Sequence, residues 1–73
     1  MHCHSAHAPE LNLFALVATD GHGATWAAVM DVEEYEVFAE LLAAEAEREP
    51  SAWMDLAALG GLVQRATGRD PRQ

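Results

Sequence analysis

Lysine is absent from this chain, and four arginines, Arg48, Arg65, Arg69 and Arg72, carry all of its fixed positive charge. Recognition of a phosphate backbone rests on clustered Lys and Arg. With a formal net charge of −8, direct binding of nucleic acid is excluded. Cysteine is nearly absent too. A lone thiol, Cys3, allows no intramolecular disulfide framework and fits a reduced, cytoplasmic setting. Long hydrophobic runs are missing: no stretch reaches the ~18–20 apolar residues that span a bilayer. Leu11–Ala18 has the length of a signal-peptide core, but no Lys or Arg precedes it and Asp20 and Gly21 follow closely, so it is read as folded chain. Isoleucine is also missing. Of the apolar residues, 15 are alanine, beside 8 Leu, 5 Val, 3 Met, 2 Phe, 2 Trp and 1 Tyr.

A chain of 73 residues is one small domain. Such a chain buries only about 60% of the surface its unfolded form exposes. With so few large apolar side chains, self-association is the natural supplement to the core. The dinucleotide, P-loop and nucleophile-elbow patterns are absent. Asp20 and His22 could form an acid–base pair, but nothing in the sequence builds a pocket around them, so a non-enzymatic protein is expected.

What is present is acid, concentrated in one segment. Asp31 to Glu49 holds Asp31, Glu33, Glu34, Glu36, Glu40, Glu45, Glu47 and Glu49 against the single base Arg48. Glu33, Glu36, Glu40 and Glu47 recur with helical spacing on one face, and Tyr35, Phe38, Leu41 and Leu42 on the other. Asp31 and Glu34 have capping-box spacing, Glu33 and Glu34 suit the helix dipole, and Pro50 stops the helix.

Ahead of this helix, Leu11 to Thr19 is apolar on both alternating faces, as in a strand buried on each side. Asp20-Gly21-His22-Gly23 is a turn, and Ala24 to Met30 is the return strand. After it, Ser51 would cap a second helix from Ala52 to Thr67, with Gly68 closing it and Trp53, Leu56, Leu59, Leu62 and Val63 as its apolar stripe. Gly60-Gly61 inside this helix implies a kink, a break or the close approach of another backbone. Residues 1–9 show no hydrophobic period and read as a flexible arm, and residues 69–73 as a flexible tail. The expected architecture is α+β: one domain over 10–68, an antiparallel hairpin followed by two helices (ββαα), dimerised to cover the second face of the apolar strand.

Three constellations could carry function. His2, Cys3, His4 and His7 have the chemistry to bind Zn, Ni or Cu. Their H-C-H-x-x-H spacing matches no structural zinc pattern, and adjacent residues of an extended arm point in opposite directions. His22, in the turn, would sit roughly 30 Å from the arm along the strand. The acidic stripe Glu33, Glu36, Glu40 and Glu47 is either a solvated face or a docking surface for a basic protein. Trp26 and Trp53 are core anchors first and contact residues second. The sequence thus supports a small acidic protein-interaction module, an accessory, inhibitor or antitoxin-like factor, using self-association and the acidic stripe with Trp26. A metal-binding protein built on the His/Cys cluster, and a small-molecule pocket between subunits near Trp26 and Trp53, are the alternatives.

Overall fold

A computed structural model describes residues 2–50 and 55–72. Strands β1 (His2–Ala8), β2 (Leu13–Thr19) and β3 (Thr25–Asp31) form one antiparallel sheet in the order β1-β2-β3, and helices α1 (Val32–Arg48) and α2 (Leu56–Thr67) follow. The class is α+β, as expected, with one strand more than the sequence pattern suggested.

The β2–β3 turn forms as its residues dictate. The Asp20 carboxylate accepts from the backbone N–H of His22 at 2.8 Å and of Ala24 at 2.9 Å, and Gly23 takes a φ of +87° that an L side chain would resist. The acidic helix also starts where expected. Asp31 accepts from the Glu34 N–H at 2.7 Å, and the Glu34 carboxylate accepts in return from the Asp31 N–H at 3.1 Å.

The N-terminal arm is a correction. His2–Ala8 pairs in unbroken register with Leu13–Thr19, from His2 opposite Thr19 to Ala8 opposite Leu13. β2 is apolar on both faces, and as the central strand it exchanges hydrogen bonds along both edges instead of leaving one open. β1 has little intrinsic strand pattern, and the pairing selects its conformation. The connection needs only residues 9–12. Asn12 in this loop adopts a φ of 55°, the left-handed region that Asn tolerates. Leu11 and Asn12, read as strand, are turn residues. A stack anchors the far end of β1: the His7 ring lies 4.2 Å from Phe14, and Phe14 lies 4.2 Å from Tyr35 of α1, all nearly parallel.

Opposed residues share a face, so Phe14, Leu16 and Ala18 line up with Met30, Ala28 and Trp26. The helices cover this face. Leu16, Ala18, Trp26 and Met30 are buried against Phe38 of α1 and Leu59, Leu62 and Val63 of α2. Trp26 donates its indole N–H to the Leu56 carbonyl at 3.1 Å. Burying an aromatic side chain of this size contributes on the order of 1.5–3 kcal/mol. α1 lies over β2 and β3, and α2 over β3. The helical layer is therefore displaced toward β3.

α2 begins at Leu56, not Ala52, because Asp55 caps it by accepting from the N–H of Ala57 at 2.9 Å. Ser51 and Trp53 lie outside the described residues. Gly60-Gly61 causes no break, since the helix is continuous through both. Gly60 is buried, and a Cβ there would meet the Arg72 side chain at 3.2 Å. The residues after α2 also contact the domain. Arg72 pairs with Asp70 at 2.9 Å, and Arg69 reaches Glu34 at 3.2 Å and the Val29 carbonyl at 3.3 Å. The tail is held across α2 and the β3 edge by polar contacts that hydrophobic periodicity does not report.

Candidate interaction surfaces

The capping box fixes the rotation of α1. With Phe38 inward, Glu33, Glu36, Glu40 and Glu47 are all exposed, together with Val37, 44% accessible, beside them. The other carboxylates of the helix are occupied. Glu45 pairs with Arg48 at 2.6 Å and Arg65 at 3.9 Å, and Glu34 pairs with Arg69. Asp70 takes Arg72. Every arginine of the chain is committed to these three carboxylates, and the stripe has no cation partner among the described residues. The pairing has electrostatic consequences. Hydrogen bonding from the Arg72 side chain and backbone holds the Asp70 carboxyl below its ordinary value. The Glu45 carboxylate raises the Arg48 guanidinium, and Asp70 raises that of Arg72.

The sheet has an outer face with no layer on it. Leu13, Ala15 and Val17 of β2 share it with Ala6 and Ala8 of β1 and Ala27 and Val29 of β3. Val17 is 38% and Val29 56% exposed. The strand pattern implied an apolar second face here, with a second copy of the chain expected to cover it.

On the inner side, the displaced helices leave β1 uncovered, and Cys3 and Ser5 are exposed. With Leu16 they form the floor of a slot of about 240 Å³ whose wall is Tyr35, Phe38 and Leu42 of α1 and Leu59 of α2. Sequence reasoning missed this slot because it missed β1. The one available signal was the Pro9-to-Asn12 stretch, which has turn composition.

The remaining candidate residues are dispersed. The strand pleat places His2 and His4 on the outer face and Cys3 and His7 on the inner one. No group of three or more His, Cys, Asp or Glu side chains that could hold a metal ion occurs among the described residues. The separation expected between His22 and the arm is overturned, because β1 folds back and brings His2 opposite Thr19, next to the turn. Trp26 is 5% exposed and belongs to the core, so it offers little surface to a partner. A broad depression of about 760 Å³ beside it is lined by Asp20, Thr25, Asp55, Leu56 and Arg72. Among the described residues no helix is long and apolar enough to cross a membrane.

No protein-family model matches this chain, and comparison with curated proteins and with solved structures gives no match.

Proposed function

We propose that this chain is a small protein-interaction module that self-associates and presents the acidic face of α1 to a basic protein. The distribution of ion pairs carries this reading. The chain commits all its arginines to Glu34, Glu45 and Asp70 and leaves Glu33, Glu36, Glu40 and Glu47 uncompensated on one exposed face. Like charges at helical spacing repel by a few tenths of a kcal/mol per pair. A basic partner removes that repulsion on binding, and long-range attraction speeds its encounter.

The test is a pull-down from the native host followed by a salt titration of the captured complex. Binding should weaken steeply as ionic strength rises, because exposed charges beyond ~8–10 Å are screened. The Glu36→Lys, Glu40→Lys double variant should slow association and leave the melting temperature unchanged, since both side chains are exposed. A partner indifferent to salt and to these substitutions would return the stripe to the role of a solvated face.

A further inference from the structure

Resting on the self-association just proposed, we infer that the second copy docks along β1, strand to strand about a twofold axis, and closes the slot between β1 and α1. The two edges of the sheet are not equivalent. β3 is crossed by the C-terminal tail: Arg69 donates to the Val29 carbonyl at 3.3 Å, and Thr67, Asp70 and Pro71 face Ala27 and Val29 across a hollow of about 270 Å³. β1 is open. It pairs over its full length with no bulge, and it contains no proline and no lysine, the usual devices that blunt an edge.

Charge favours the same edge. Two copies that each carry −8 repel over most of their surface, α1 above all. His2–Ala8 contains no carboxylate. A strand without carboxylates that offers backbone donors and acceptors is the surface where acidic copies approach at least electrostatic cost.

Symmetry fixes much of the rest. Side-by-side antiparallel pairing of one strand with its own copy requires a twofold axis normal to the sheet. Both helical layers then lie on the same side of a continuous six-stranded sheet. Residues that oppose one another must share a face, so the axis passes through a residue position. Full overlap of His2–Ala8 puts that position at Ser5, which then faces its own counterpart, while Cys3 faces the counterpart of His7. The slot, lined by Tyr35, Phe38, Leu42 and Leu59 beside Cys3 and Ser5, is closed by the other copy in this arrangement.

Opposed Cα atoms across an antiparallel pair are about 4.5–5.5 Å apart, within disulfide range. The two Cys3 residues would be offset by four positions, or about 13 Å. The experiment compares oxidative cross-linking of the native chain with that of the Cys3→Ala, Ser5→Cys double variant, alongside sedimentation of both. Ser5 is exposed, so the substitution leaves the core intact, and far-UV circular dichroism verifies this. The double variant should become largely covalent dimer at least tenfold faster than the native chain. Comparable rates, or a dimer in which Ser5→Cys does not cross-link, would overturn the β1 assignment alone. A dimer dispersed by Val29→Lys would do the same in favour of the outer face. A native chain that sediments as a monomer at every concentration would overturn self-association itself.

Discussion

Gly60 and Gly61 are adjacent in α2 and have different reasons to be glycine. A Cβ at Gly61 meets nothing within 4 Å, whereas at Gly60 it would press on the Arg72 side chain at 3.2 to 3.4 Å. Neither has a positive φ. Gly61→Ala should therefore stabilise by about 0.5–1 kcal/mol through restored helix propensity. In a domain of this size that is a rise of roughly 2–8 °C in melting temperature. Gly60→Ala should gain less, because Arg72 must move. An equal gain at both positions, read by calorimetry, would show that the Arg72 contact contributes nothing. The carboxylate partner of Arg72 titrates accordingly. Asp70 is held below its ordinary value by the hydrogen bonds from Arg72. Its contribution is thus fully present above about pH 4, the range of an unfolded Asp, and is lost as the pH falls below that. The melting-temperature difference between native chain and Asp70→Asn should be largest near neutrality and shrink as the pH falls through and below the ordinary range of an aspartate. A gap that stayed constant with pH would show that the pair does not bear on stability.

Among the elements, legibility followed the range of the interactions. α1 was readable to the residue at its start, because Asp31, Glu34 and the Tyr35–Phe38–Leu42 face are local signals. The Asp20–Gly23 turn was readable for the same reason. β1 was not: HCHSAHA has no apolar alternation, and its conformation is set by the edge of β2, a chain-distant demand. The start of α2 was misplaced because Ser51 and Asp55 both have capping chemistry and sequence alone does not rank them. The stripe residues lie exposed on α1, as their helical spacing implied, while Trp26, read as core first and contact second, lies mostly in the core. These points give opposite expectations for the N-terminus. As an arm, residues 2–8 would be dispensable. As a strand paired along β2 and stacked through His7 on Phe14, their deletion should lower the melting temperature markedly and raise amide exchange along β2. Unchanged exchange in β2 would contradict the three-stranded sheet. In α1, Leu41→Asp should unfold the domain and Glu40→Lys should not. Leu41 packs against the core and Glu40 is exposed, and an unpaired charge forced inward costs several kcal/mol, comparable with the whole stability of a small domain.

At the scale of the whole molecule, two kinds of contact respond to salt with opposite sign. A basic protein on Glu33, Glu36, Glu40 and Glu47 is held by attraction across water, and added salt screens that attraction. Two copies meeting along β1 bring together molecules that each carry −8, and added salt screens that repulsion instead. The backbone ladder and the apolar slot beneath Tyr35 and Leu42 contain no charge for salt to weaken. Self-association should therefore hold or strengthen between about 0.05 and 0.5 M salt, while the complex with a basic partner dissociates over the same range. The outer sheet face enters the same measurement. Val17→Thr with Val29→Thr keeps β-branched side chains in both strands and reduces the exposed apolar area, so the double variant should bind less hydrophobic dye and keep the native dimer constant. Sedimentation equilibrium of the native chain and this variant at both salt concentrations reads each quantity. A dimer that loosens with salt would place pairs of opposite charge in its interface, for which His2–Ala8 supplies no carboxylate. A dimer lost in the threonine variant would assign the contact to the outer face.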